Sequence, residues 1–325
     1  MSRSAAIRLV DTRSMEREEW LEVRNRGIGS SDAAAAVGLC PYKSQLELWM
    51  EKTGRTTRDD EPGQDSPMYW GTLLEPLVAG AYTEQTGRKV RRVNAVLQHP
   101  TYSFMLANVD REVVGVPDVQ ILECKTAGEF GSRLWRDGVP EYVQIQVQHQ
   151  LAVTGKAAAD VAVLLCGQKL EVHRIERDED VVSRLIVLEA RFWEYVTQDT
   201  PPPADGSESA ARALRSLYRG NDTSLDFSED AELSATFDGL VLLRDEIAQM
   251  DKRAEQMRQQ LEQSMGDASR AIFPSGEITY RRSKDGTSVD LKRLTEAHPD
   301  LVAEFIVARP GSRRFRLVPH QTQGA

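Results

Sequence analysis

Asp110, Glu123 and Lys125 spell the pattern D-x12-E-x-K, and their types and spacing could do chemistry together. Side chains at i and i+2 of a β-strand share a face. On a strand running from Val119 to Lys125, Glu123 and Lys125 therefore point one way, while Leu122 and Cys124 point into the packing behind. A turn between neighbouring strands brings Asp110, at the end of the apolar run 104–109, onto the same face. Two carboxylates are hard oxygen ligands for a divalent metal, and an ammonium steadies an attacking hydroxide or the charge developing on a phosphodiester. The commoner reading of such a pattern is a surface hairpin with a Glu/Lys pair on its wet face. The pattern alone is weak, and the rest of the chain has to decide.

The elements that must position these residues are legible in chain order. Residues 14–26 read as a short helix with Met15, Trp20 and Val23 inward. The run Gly27-Ile28-Gly29-Ser30-Ser31-Asp32, followed by alanines, reads as a tight turn into a helix N-terminus. Such a terminus can hold a phosphate, although plain capping explains it locally as well. Ser44 and Glu47 form a capping box for a helix that Gly54 closes. Residues 55–67 read as a charged loop. Residues 69–86 form a helix with a stripe of Leu73, Leu74, Leu77, Val78 and Tyr82, Glu75 beside the stripe, and Gly71 allowing close approach to a strand.

Strands are expected over 88–98 and 103–109, and a loop over 128–138. A helix over 141–154 carries Gln144, Gln146, Gln148 and Gln150, amides that cannot all face water. A hairpin spans 159–166 and 170–175, its first strand nearly all apolar and hence buried. An amphipathic helix over 180–196 ends before Pro201-Pro202-Pro203, which marks a domain boundary. The chain thus divides into 1–200 and an accessory region, 201–325. In the latter, Leu240, Leu243, Ile247, Met250, Ala254, Met257 and Leu261 follow 3,4 spacing, a coiled-coil or helical-hairpin seam about 33 Å long. A β segment over 277–282, a helical stretch over 289–307 and a basic tail follow.

Composition sets outer bounds. Of 325 residues 40% are hydrophobic and 28% charged, ordinary for a globular protein with a sizeable core. No apolar run reaches membrane-span length and no signal-type segment opens the chain, so a cytoplasmic protein is expected. Three scattered cysteines indicate neither a disulfide framework nor a Cys-rich metal site, and five histidines show no zinc spacing. A net charge of −9 argues against a protein that coats a polyanion wholesale. It leaves room for a nucleic-acid enzyme with cations confined to a cleft. Arg88, Lys89, Arg91 and Arg92, then Arg281, Arg282 and Lys284, then Arg309, Arg313, Arg314 and Arg316, form local basic clusters.

Five segments occur together in order: RNRGIGSSDAAAAVGLCPYKSQLELWMEKTG, WGTLLEPLVAGAYTEQTG, LANVDREV, ILECKT and QVQHQLAVTG. In these the chain resembles the YqaJ-type viral recombinase family, which is similar to the phage lambda exonuclease within the PD-(D/E)xK nuclease superfamily. The resemblance runs from about Arg24 to Cys166. It implies an α/β (α+β) fold with a restriction-endonuclease-like core, a mixed central sheet flanked by helices, to which the heptad region adds a helical extension.

It further implies that Asp110 and Glu123 ligate Mg²⁺, with Mn²⁺ as a substitute, assisted by the carbonyl of Cys124. Glu75 completes the metal environment, Lys125 orients the attacking water and Gln146 supports the site from its helix. Arg24 and Ser31 match positions that grip a 5′-terminal phosphate. The implied activity is 5′→3′ exonuclease action on double-stranded DNA ends. It leaves a 3′ single strand for a phage single-strand annealing protein, in a phage- or prophage-encoded enzyme acting in the bacterial host. Relatives can close into rings around DNA, so a homo-oligomer is possible. An endonuclease, a single-strand nuclease, or a silent DNA-binding or assembly protein on the same fold are the alternatives.

One departure is Arg111, where the family often has Gly; it puts the local turn in question. A second choice concerns the metal-binding aspartate. Pro117-Asp118 fits the superfamily's nominal motif, but Asp118 follows a Gly-Val-Pro loop where Asp favours turns and solvent. Asp110, ending an apolar run, is the expected ligand.

Overall fold

The computed structural model of the protein describes residues 5–55, 63, 65–308, 311 and 313–319. Two compact units result, Met1–Tyr218 and Arg219–Ala325. The first contains, in order, β1 (Ile7–Asp11), α1 (Arg17–Asn25), a 3-10 turn (Ser30–Asp32), α2 (Ala33–Ala36), α3 (Gln45–Lys52), α4 (Pro67–Thr86), β2 (Lys89–Arg92), β3 (Ala95–Gln98), β4 (Leu106–Ala107), β5 (Arg111–Val114) and β6 (Ile121–Ala127). A 3-10 turn (Gly131–Trp135), α5 (Glu141–Thr154), β7 (Ala158–Leu165), β8 (Lys169–Glu176), α6 (Glu179–Thr197) and α7 (Glu208–Leu217) complete it.

Five strands in the order β2-β5-β6-β7-β8 make a mixed sheet in which only β6 and β7 run parallel. Parallel neighbours need a crossover, and α5 supplies it. Val78, Ala79 and Tyr82 of α4 pack on one face against Val113, Leu122 and Ala162. Val143, Val147 and Leu151 of α5 pack on the other against Ile121, Val161 and Val163. With both faces covered, β7 reads as the near-continuous apolar run that burial on two sides demands. This is the mixed central sheet flanked by helices expected of the superfamily core.

Several expectations change. The stretch 88–98 is two strands in two sheets: β2 pairs with β5, whereas β3 pairs with β1 and β4. The break falls at Asn94, whose carbonyl accepts from the Thr12 amide (3.1 Å) and the Arg8 guanidinium (2.9 Å) instead of continuing a ladder. The run 103–109 is a strand only over Leu106–Ala107, so Asp110 sits in the link between the two sheets, directly before β5. The loop 128–138 contains a 3-10 turn that buries Trp135. Helix α4 starts at Pro67, capped by Ser66, whose hydroxyl accepts from the Tyr69 amide (3.1 Å). Of its expected stripe, Val78 and Tyr82 are buried, while Leu73 and Leu77 are 52% and 64% exposed. Most of the expected loop 55–67, namely 56–62 and 64, lies outside the described residues.

Ser44 caps α3, its hydroxyl accepting from the Glu47 amide (3.1 Å), but the reciprocal half of the expected box is absent. The Ser44 amide donates to Ser209 Oγ (2.8 Å), and the Glu47 carboxylate accepts from the Ser209 hydroxyl instead. Helix α7, beyond the triple proline, is thereby stitched to α3 within the first unit. No helix among the described residues is long and apolar enough to cross a membrane.

The second unit contains α8 (Ala231–Met265), a hairpin of β9 (Arg270–Phe273) and β10 (Gly276–Thr279), and the short helices α9 (Leu291–Ala297) and α10 (Pro299–Ala303). The expected helix 289–307 is interrupted at His298, because the residue before a proline is disfavoured in helical conformation. Of the basic tail, Arg309 lies outside the described residues.

One clamp holds the first unit's loops together. The Ile28 amide donates to the Phe104 carbonyl (2.6 Å) and the Leu106 amide to the Ile28 carbonyl (2.9 Å). A Cβ on Gly27 would stand 2.5 Å from the Phe104 carbonyl oxygen and 2.8 Å from the Leu106 side chain. Gly27→Ala is expected to destabilise the protein by about 1–3 kcal/mol, the usual range for overpacking. Denaturant unfolding of the variant checks this.

Candidate active site

One cleft of about 480 Å³ is lined by Arg24, Ser31, Glu75, Asp110, Glu123, Cys124, Lys125 and Gln146. These residues come from α1, the first 3-10 turn, α4, the link before β5, β6 and α5. Strand alternation in β6 turns Leu122 and Cys124 toward α4 and Glu123 toward α5.

Glu123 is 3% exposed. Its Oε1 accepts from Gln146 Nε2 (2.5 Å) and lies 2.8 Å from Lys125 Nζ, and its Oε2 accepts from Gln150 Nε2 (2.7 Å). Gln146 Oε1 in turn accepts from Lys125 Nζ (2.9 Å). Burial alone would lower the Lys125 ammonium, but the Glu123 charge and hydrogen bond hold it above its ordinary value. Lys125 is therefore a cation and donor at neutral pH.

Asp110 Oδ2 accepts from the Cys124 amide (2.9 Å), which fixes the carboxyl against β6. Burial, and then the charge of Glu123, push its pKa up to about 8. Burial, with Asp110 and Glu123 next, also pushes the Cys124 thiol upward, so this residue offers a carbonyl rather than a thiolate. Glu75 accepts from the Arg111 guanidinium, which also donates to the Asp110 carbonyl (2.7 Å). Arg111, where a glycine was expected, thus begins β5 normally, and its side chain ties α4 to the Asp110 link.

Among the described residues no three His, Cys, Asp or Glu side chains converge as a ready ligand set. The donors nevertheless fit a hard divalent cation: two carboxylates and a backbone carbonyl, in an acid pair whose mutual repulsion a cation would relieve. Glu75 stands beside them, engaged by Arg111.

At another part of the cleft wall, Arg24 Nη2 donates to Ser31 Oγ (2.7 Å), and its guanidinium stacks 4.6 Å over the Trp20 ring. Asp32, 2% exposed, pairs with Lys52 (2.8 Å) and approaches Arg24 (3.4 Å). The expected helix start is a 3-10 turn followed by the four residues of α2. So short a helix has little macrodipole, and the cation that lines the cleft here is Arg24, with Lys52 buried behind it against Asp32.

Asp118 lies elsewhere, exposed, bonded by Arg174 (2.7 Å) and Arg88 (3.4 Å). Sequence reading placed Gln150 in the glutamine row of this helix but gave it no role at the site, although it lies four residues, one helical turn, after Gln146 and donates to Glu123. It also missed the Asp32–Lys52 pair and the fully buried His149–Glu189 pair (2.7 Å), whose partners are distant in sequence.

A carboxyl raised from 3.8 to about 8 stays protonated in the folded state where the unfolded chain has released its proton. Its stabilising contribution is complete below pH 4 and is lost as pH rises toward 8. In EDTA, Asp110→Asn is expected to melt above wild type at pH 8.5, and the gap should close toward pH 4. Parallel stability–pH curves for the two proteins would contradict this placement of Asp110.

The profile of the YqaJ-like viral recombinase domain matches residues 19–157. The uncharacterized protein YqaJ of Bacillus subtilis (strain 168) is 34% identical over 319 residues, covering 97% of this chain and 98% of the relative. Among solved structures, an alkaline exonuclease from Laribacter hongkongensis overlays with a TM-score of 0.47 at 23% identity, over 56% of this chain and 93% of the other. The same exonuclease in complex with dAMP gives 0.47 and 23% over 62% and 97%. Identity of 34% over nearly the full length of that Bacillus protein, with the profile match across the cleft-forming segments, establishes that the chain belongs to the YqaJ-like viral recombinase family.

Proposed function

We propose that this protein is a divalent-metal-dependent 5′→3′ exonuclease acting on double-stranded DNA ends. In this reading it leaves a 3′ single strand for a phage-type annealing protein. The observation that carries the reading is the single cleft in which an acid pair with its lysine and an arginine–serine pair occupy one wall system. The first set suits the scissile phosphodiester and the second a terminal phosphate.

Asp110, Glu123 and the Cys124 carbonyl would hold the metal. A bound Mg²⁺, replaceable by Mn²⁺, would act as a Lewis acid toward the phosphodiester. Lys125, kept charged by Glu123, donates from Nζ toward the oxygen of the attacking water or the developing phosphorane charge. Gln146 fixes both partners by donating to Glu123 and accepting from Lys125. Arg24, pre-set on Trp20 and Ser31, would offer a charged donor to a 5′-phosphate, a charge-assisted contact stronger than a neutral one. The family membership supports DNA recombination as the setting.

Linear duplex should be digested with Mg²⁺ and not with EDTA, and covalently closed circles should survive. Degradation of closed circles would mark an endonuclease. Asp110→Asn should abolish cleavage with the fold retained, whereas Asp118→Asn should stay within about tenfold of wild type, ~1.4 kcal/mol in barrier. An active Asp110→Asn beside an inactive Asp118→Asn would reverse the assignment.

Arg24→Ala should lose the preference for 5′-phosphorylated over 5′-hydroxyl ends. Equal rates of the wild type on both kinds of end would remove the terminal-phosphate role.

A further inference from the structure

Helix α8 is 35 residues, about 52 Å, and buries none of them. Its seam residues Leu243, Ile247, Met250, Met257 and Leu261 are between 39% and 69% exposed. An apolar seam left exposed along a helix of this length is the kind of stripe that packs against a partner helix. The charges flanking the seam specify which one.

With Leu240, Ile247, Ala254 and Leu261 at the a positions and Leu243, Met250 and Met257 at d, the e positions hold Arg244, Asp251 and Arg258 and the g positions Glu246, Arg253 and Gln260. A parallel in-register pair sets each g residue against the e residue five positions later on the other helix. That brings Glu246 against Asp251 and Arg253 against Arg258, both repulsive. An antiparallel pair sets e against e and g against g. In the register that stacks Leu240 on Met257, Leu243 on Ala254 and Ile247 on Met250 of the second copy, Arg244 meets Asp251 and Glu246 meets Arg253. Two-fold symmetry repeats each contact, giving four attractive pairs and no repulsive one among these residues. Sliding one heptad toward the C-terminal end sets Arg253 against Arg253 and Asp251 against Asp251. Sliding one heptad the other way sets Arg244 and Glu246 each against themselves.

We infer that the seam of α8 is a self-association surface that pairs with α8 of a second copy of this chain, antiparallel, in that register. Charge complementarity favours this occupant because one sequence satisfies both sides of the interface.

The test uses the full-length protein, with sedimentation equilibrium as the readout. Wild type should show a concentration-dependent monomer–dimer equilibrium. Glu246→Arg replaces two attractive contacts by Arg–Arg contacts in the antiparallel pair and should weaken association about tenfold or more, ~1.4 kcal/mol. Glu246→Arg with Arg253→Glu restores the complementarity and should recover wild-type association. Circular dichroism of both variants verifies that the helix is kept. The same single substitution would strengthen a parallel pair, by meeting Asp251, so tighter association overturns the inference. A wild type that stays monomeric at all concentrations also overturns it, and would point to the chain's own first unit or a different protein as the occupant. Self-association indifferent to both variants would overturn it as well, placing the contact elsewhere.

Discussion

Glu123 is a carboxylate held in the interior, and the architecture around it is the set of groups that make this tolerable. Removing a charged oxygen pair from water is costly unless donors replace the lost hydration. Gln146 and Gln150 supply two of those donors from successive turns of α5, and Lys125 supplies a third from the same strand face. That requirement fixes the rotation of α5 on the sheet and the register of β6 beneath it. The apolar contacts of Val143, Val147 and Leu151 then follow on the neighbouring stripe of the helix.

The same logic recurs outward from the site. His149, on α5, is fully buried, with Nδ1 2.7 Å from Glu189 of α6 and Nε2 donating to the Leu106 carbonyl (2.8 Å). Burial alone would lower its pKa, but the Glu189 charge raises it, while burial pushes the Glu189 carboxyl up as well; the pair joins α5, α6 and β4 as a buried hydrogen-bonded contact. On the other face of the sheet Asp160, 1% exposed, accepts from Tyr82 (2.7 Å), Arg88 (2.8 Å) and Arg174 (3.1 Å). Truncating one member of such a pair leaves the other charge buried and unmatched, which costs far more than the pair contributes. The sheet is thus bracketed by polar locks that tolerate little movement of α4, α5 or α6 relative to one another.

What could be read from the sequence followed physical range. Alternation placed Glu123 and Lys125 together because it is a property of one strand. Four glutamines two apart on one helix were visible as amides that cannot all face water, because that is a property of one helix. The local apolar pattern could not say that 88–98 feeds two sheets, since Val90 and Val96 look alike until their partners are known. Leu73 and Leu77 joined the expected stripe of α4 on hydrophobicity, yet apolar residues are free to be exposed, and the reverse inference fails. Asp32–Lys52 and His149–Glu189 join residues 20 and 40 positions apart, and no periodicity links such partners. Arg111 was visible as an oddity; its bond to Glu75 depended on how α4 crosses the sheet.

The backbone bonds between Ile28 and its neighbours in 104–106 carry one more meaning. From this joint the chain runs a few residues one way to Ser31 and a few the other way to Asp110. Two parts of the cleft wall, at Ser31 and at Asp110, therefore hang from one pair of backbone hydrogen bonds, and the interval between them is set by main chain. Side-chain exchanges at either end can alter grip or reactivity while leaving that interval untouched. In effect the molecule carries a ruler whose markings can be repainted without changing its length.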